Sequence, residues 1–407
     1  MKPRTFLLLA AIAIGSSAFA EALLPEKLAE QKAYTRKMIP YRDGVLVECD
    51  SLYAPAHASY MFARFEAKEL SPVNIDGIEL LLDVGTGSKG RIFLGAIEPT
   101  EGELKAVILG ETADAKLRPL PVPDEFHAFF ATDSPSTTPR LIGTNHEAAA
   151  IVEDIIWWLE GETWKSRKLP KVPKFHDEFL TDHPYGANWF LDGNILYGGW
   201  NHGEWGGALG SIDLGAADSK WVQLSGKPLK DDAGIPENNP IQSIISPRSG
   251  ELWVATGLSH MGGTWRGLYH REPSGKWHTL IHGESDRDQG ELKPFVSDIS
   301  GLALGRENSL YVLASETGIY RLTGKQVECL IPHQFRDYLN GIAVVPNGDI
   351  YVSTDRSGVL AFHKAGDQWH GKQIVFGKQE EEEKDNPDKK PDTDSPPAPP
   401  KSPAQEK

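Results

Sequence analysis

From residue 239 onward the chain keeps restating one arrangement of short apolar runs. Residues 239–281 read NPIQSIISPRSGELWVATGLSHMGGTWRGLYHREPSGKWHTLI. β-Branched and aromatic residues separated by Gly, Pro, Asn and Ser punctuation are the mark of strands and turns. Four runs stand out: Ile241 to Ile245, Leu252 to Thr256, Arg266 to Arg271 and Trp277 to Ile281. The same order returns in residues 339–376, where Asn347-Gly348 forms the first turn, and in SLYVLAS and TGIYRL before it. Upstream, GNILYGGW, ALGSIDL and SKWVQL fill the same slots, as do PRLIGTN, DIIWWLEG and ETWKSRKL. GIELLLDV, GRIFLGAIE, ELKAVILG and AKLRPLP make another unit. GVLVECD and YMFARFEAKELSPV make one more, without a clear first strand. Tryptophans mark the last strand of four units, at Trp164, Trp221, Trp277 and Trp369.

A repeat of roughly 40–55 residues with four strands in each unit is the signature of a β-propeller. Each small sheet has two apolar faces, and stacking the sheets in a closed ring covers both. The expected fold is therefore all-β, a propeller of seven four-stranded antiparallel blades, with six as the alternative count. The propeller occupies residues 41–378. Residues 21–40 supply either a ring-closing strand or a short helical lead-in.

The two ends have other signatures. Lys2 and Arg4 precede an apolar run from Phe6 to Gly15, and Ala18-Phe19-Ala20 supplies an Ala-x-Ala pattern. Residues 1–20 thus read as a secretory signal peptide, too short to span a bilayer. The chain is expected to be exported, to the periplasm or beyond. Residues 379–407 are rich in Pro and charge and lack large apolar groups, which predicts a disordered tail. The net charge of −15, with no basic stripe, argues against nucleic acid as a partner. An exported chain could pair its two cysteines, Cys49 and Cys329, or keep both as thiols.

The stretch GGWNHGEWGG, residues 198–207, holds five glycines, two tryptophans, a histidine and a glutamate. In the repeat it falls between a second and a third strand. TGLSHMGGTWRG is assigned the same slot in the next unit, and GTNHEA in the preceding one. That assignment puts His146, His202 and His260 at equivalent positions on one face. They would form either a zinc-type site or three unrelated turn contacts. Trp200, Trp205 and Trp265 in these loops, with Glu204, either stack on a flat ligand or fold over the blade edges. Polar groups also occur where inner strands begin: Asp76, Asn188, Gln242, Asp298 and Asn340. Oxygen ligands of this kind could hold Ca²⁺.

ELWVATG and GLYHRE, with SLYVLASETGIYRL, resemble the periplasmic propeller repeats of two-component regulators. LNGIAVVPNGDIYVSTDRSG is similar to repeats of gluconolactonase and NHL-type propellers. The latter resemblance implies a calcium ion at the channel mouth, with Asn340 matching an Asn-Gly motif. No second Asn-Gly at a matching place and no matching N-terminal Glu accompany it. There is no Gly-x-Ser-x-Gly elbow and no HExxH. The reading that follows is an exported binding protein recognising a small molecule, glycan or protein on one face. The alternative is a metal-dependent hydrolase of the calcium lactonase type.

Overall fold

The computed structural model describes residues 33–375 with positions 24 and 28, apart from 52–59, 101–102, 131–138, 172–186, 226–234, 236–238, 261–262, 285–286, 290–297, 333–338 and positions 202, 204, 205, 316 and 325. The leader 1–20 and the tail 379–407 lie outside the described residues.

The strands form seven sheets, each an antiparallel meander of consecutive strands. Blade 1 runs Ala33–Tyr41, Gly44–Ser51, Tyr60–Arg64 and Ser71–Pro72. Blade 2 runs Leu80–Gly87, Gly90–Thr100, Glu103–Glu111 and Leu117–Leu120. Blade 3 runs Arg140–Leu141, Ala149–Val152, Ile155–Glu160 and Thr163–Lys168. Blade 4 runs Ala187–Asp192, Ile195–Asn201, Gly207–Asp213 and Val222–Gln223. Blade 5 runs Ile241–Ile245, Leu252–His260, Gly263–Arg271 and Trp277–Glu284, with Arg287–Gln289 added at its rim. Blade 6 runs Ile299–Leu304, Leu310–Ala314, Gly318–Thr323 and Gln326–Ile331. Blade 7 runs Leu339–Val344, Ile350–Thr354, Val359–Ala365 and Gln368–Ile374. The fold is a seven-bladed β-propeller, which resolves the count left open by the sequence.

What closes the ring is burial between blades. Every interface between neighbouring blades, including that of blade 7 with blade 1, has its own apolar cluster. Between blades 2 and 3 a short helix, Asp124–Phe130, adds Phe126 to that cluster. The first-to-last interface is also tied by hydrogen bonds. Thr35 Oγ1 donates to the Thr354 carbonyl at 3.1 Å, and Leu70 N to Val375 O at 2.8 Å. The segment before residue 41 contains no helix among the described residues. Ala33–Tyr41 is simply the inner strand of blade 1, and Leu24 sits in the cluster between blades 6 and 7.

The meander fixes two faces. Gly143–Thr144, which continues the inner strand of blade 3, pairs in parallel with Ala187–Asp192 of blade 4. Neighbouring inner strands therefore run the same way. The starts of inner strands and the second-to-third loops share one face, here the loop face. First-to-second and third-to-fourth turns share the other, the turn face. Asn347-Gly348 is such a turn, and Gly348 at φ 98° adopts the left-handed backbone it requires.

Candidate functional site

The sequence candidates do not converge as a set. His146 lies in the connection from the inner to the second strand of blade 3, on the turn face. Its Nε2 contacts the Gly193 carbonyl at 2.7 Å, in the corresponding turn of blade 4. PRLIGTN is the first strand of its blade rather than the second, so His146 is not equivalent to positions 202 and 260. The error came from Ala149–Val152, a small-residue strand absorbed into the loop. His146 thus lies on the turn face, whereas position 260 ends the second strand of blade 5 at the loop face. His202, Glu204 and Trp205 lie outside the described residues, as does the side chain of His260 at the end of its strand.

Trp200 is corrected as well. It is 3% exposed, packed edge-on against Trp189 at 5.5 Å and Trp221 at 5.7 Å between centroids. The glycines around it make room for this cluster. A Cβ on Gly198 would lie 2.6 Å from the Trp189 ring and 2.8 Å from the Trp200 ring, and one on Gly199 would lie 2.5 Å from Ile241 of blade 5. So Trp200 offers no ring face to a ligand. Trp265 is half-buried in the third strand of blade 5, paired with Leu258 and Glu284.

The polar starts of the inner strands have a regularity that the sequence did not announce. In blades 1, 2, 5, 6 and 7 the pairing of inner with second strand slips by one residue near its beginning. The slipped residues are Arg36, Leu82, Gln242, Ser300 and Asn340. Such bulges re-aim side chains and bend the strand. Gln242 accepts from Asn201 at 2.9 Å and donates to the Gly257 carbonyl at 2.6 Å. Asn188 donates to the Ile241 carbonyl at 3.0 Å, joining blades 4 and 5. Asp298, buried, accepts from Ser315 at 2.9 Å, and Ser315 meets Ser300 at 2.5 Å. Asp76 is exposed in the turn closed by Ile75 and Ile78. These groups are spread over separate blades and engaged in local contacts. Among the described residues, no three His, Cys, Asp or Glu side chains come together as a metal site. Asn340, the residue that the lactonase resemblance assigns to a calcium ion, has its side chain outside the described residues.

The strongest polar assembly on the loop face is one that sequence reasoning missed. Lys37, Glu48 and Tyr60 are cross-strand partners in blade 1. They meet Asp83 on the inner strand of blade 2 and Arg140 at the start of the inner strand of blade 3. Asp83 is 1% exposed and Tyr60 2%. Asp83 Oδ1 accepts from Tyr60 OH at 2.6 Å, Lys37 Nζ at 3.0 Å and Val84 N at 2.8 Å; its Oδ2 accepts from Leu141 N at 2.7 Å. Lys37 also donates to the Leu141 carbonyl at 3.3 Å, and Arg140 to Glu48 at 2.9 Å. A buried carboxylate would be costly alone, but four donors converge on this one. Burial, then the charges of Asp83 and Glu48, push the Tyr60 phenol well above its ordinary value. Burial opposes the charge of Arg140, yet Asp83 and Glu48 outweigh it and hold the guanidinium above its ordinary value. The carboxylates are buried, while the side chains of Lys37 and Arg140 remain 33% and 45% exposed.

The turn face has a cleft of about 920 Å³ spanning the edges of blades 5, 6 and 7. One wall is a ladder of rings across blade 5. Trp253 stacks on His270 at 4.1 Å, and His270 faces His278 at 6.0 Å. Each imidazole contacts a carboxylate through Nε2, Glu251 at 2.9 Å and Glu272 at 2.8 Å.

These features define a seven-bladed propeller with a charged strut at its channel mouth. No family model matches the sequence, and neither does any curated protein. Solved structures do. One is the WD40 β-propeller domain of Doa1, at 11% identity over 83% of this chain and 96% of that one, TM-score 0.39. Another is the β-propeller domain of Cps50 (Swd1) from Myceliophteria thermophila, at 11% identity over 82% and 98%, TM-score 0.40. A third is the extracellular domain of a protein described as a hybrid two-component system from B. thetaiotaomicron, at 12% identity over 81% of this chain and 39% of that one, TM-score 0.38. The fold assignment rests on the topology of the chain itself, not on these likenesses.

Proposed function

We propose that this protein is an exported binding ring that recognises its ligand on the loop face, at the mouth of the central channel. The observation that carries this reading is the network of Lys37, Asp83, Tyr60, Glu48 and Arg140. It joins three blades at the mouth and leaves its two cations partly exposed. Polar inner-strand positions of other blades, Asn188 and Gln242 among them, extend the same rim. Export rests on the leader read from Lys2 to Ala20. The ligand classes that suit such a rim are a small molecule, a glycan or a protein segment.

The test is a plug on each face. A library of small molecules and glycans is screened by thermal shift against the chain lacking residues 1–20. Hits are then measured with Gln242→Arg, which fills the mouth, and with Thr323→Arg, which alters the turn-face cleft. The reading expects binding to be lost only in the first variant. Hits lost only in the second would move recognition to the turn face and overturn it.

A further inference from the structure

The channel-mouth network can be balanced donor against acceptor, and the result points to the chemistry of the ligand. Asp83 already accepts from four donors, three on Oδ1 and one on Oδ2. The single proton of Tyr60 goes to Asp83, so its 3.5 Å approach to Glu48 is not a second hydrogen bond. On the cationic side the sum is different. The Lys37 ammonium has three N–H groups and uses two among the described residues, on Asp83 and Leu141. Arg140 has five and uses one there, on Glu48. Donors are left over, and they belong to the two side chains that reach solvent. Lys37 donates to the Leu141 carbonyl and Arg140 to Glu48, the cross-strand partner of Lys37, so both cations are tied to the same small network. Asp83, behind them, is rigidly tied from three blades and fixes where the ammonium points.

We infer that this network receives a carboxylate of the ligand, its two oxygens on the open edge of the Arg140 guanidinium, with the Lys37 ammonium adding positive charge at the same mouth. The inference rests on the proposed binding role and names the ligand chemistry at that same mouth. A guanidinium edge matches a planar carboxylate in a bidentate way that an ammonium cannot. Balance of charge narrows the choice. Two cations already face two carboxylates, and the chain carries −15 overall. A single carboxylate is therefore favoured over a polyanion, and affinity falls as salt screens the pair. A free organic acid and an acidic sugar both present this group.

The experiment is calorimetric titration of the chain lacking residues 1–20, at constant ionic strength, with D-galacturonate, D-galactose, acetate and citrate. Galacturonate and galactose differ in the carboxylate, and acetate separates the free acid from the acidic sugar. Galacturonate, acetate or both should bind, with galactose and citrate weaker by about tenfold or more. Lys37→Met and Arg140→Gln should remove the difference between galacturonate and galactose. Because Lys37→Met strips a partner from buried Asp83, Arg140→Lys serves as the second variant: it keeps a cation beside Glu48 but loses the planar fork, and should weaken the carboxylate while the melting temperature holds. Equal binding of galactose and galacturonate, tighter binding of citrate, no heat with either monocarboxylate, or carboxylate binding indifferent to Arg140 would each overturn the inference. A loss confined to this preference, with another loop-face ligand still excluded by Gln242→Arg, leaves the binding role standing. Absence of any loop-face ligand removes both.

Discussion

The phenol of Tyr60 donates to the carboxylate of Asp83 at 2.6 Å, across the interface of blades 1 and 2. It is the shortest link in a strut that reaches blade 3 through Leu141 and Arg140. Removing the hydroxyl leaves a buried charge with one donor fewer. Tyr60→Phe should lower the free energy of unfolding by about 1–3 kcal/mol, read from urea denaturation. No change would mean that the strut carries no stability.

The same phenol predicts an alkaline dependence. Burial and the charges of Asp83 and Glu48 raise its folded-state pKa well above the ordinary tyrosine value. A raised pKa means that the folded state holds the proton more tightly, so its contribution is complete below about pH 10 and falls as pH rises beyond it. Tyr60→Phe should flatten part of that alkaline limb. Identical limbs in wild type and variant would contradict the placement of Tyr60.

Trp200 should behave as core. Trp200→Ala opens the Trp189–Trp200–Trp221 cluster, and large aromatic truncations cost about 3–5 kcal/mol. The variant should lose this stability in chemical denaturation. A variant as stable as wild type would put the ring at the surface.

The two cysteines are free and sit in different settings, one in blade 1 and one in blade 6. Cys49 is buried, and burial followed by the charge of Glu48 pushes its thiol up to about 12. Cys329 is exposed. A thiol reagent at neutral pH should therefore label one cysteine in the native chain, mapped by mass spectrometry to Cys329, and two after unfolding. Labelling of Cys49 in the native chain would contradict its burial.

Much of the architecture was legible because propeller blades are local. Each is built from consecutive strands, so short apolar runs and turns report it directly, and Trp164, Trp221, Trp277 and Trp369 fall on or next to outer strands as read. Two blades resisted. The inner strand of blade 1 carries Arg36, Lys37 and Pro40, which break the apolar pattern, so the sequence leaves a ring-closing strand and a helical lead-in both open there. In blade 3 the alanine-rich second strand passed for loop, which shifted the frame and sent His146 to the wrong face. The channel-mouth network was not legible at all. Lys37, Glu48, Tyr60, Asp83 and Arg140 are ordinary residues far apart in the chain, and only closure of the ring brings them together. Trp200 shows the converse: a motif rich in Trp and Gly drew attention as a surface loop, while its glycines serve close packing.

The proposed recognition at the loop-face mouth runs through Lys37 and Arg140. Hydrogen–deuterium exchange with and without a saturating monocarboxylate tests it most directly. Protection should concentrate in residues 35–37, 81–84 and 140–142 and vanish in Arg140→Gln. Protection gathered instead around Trp253, His270 and Tyr311 on the turn face would contradict it.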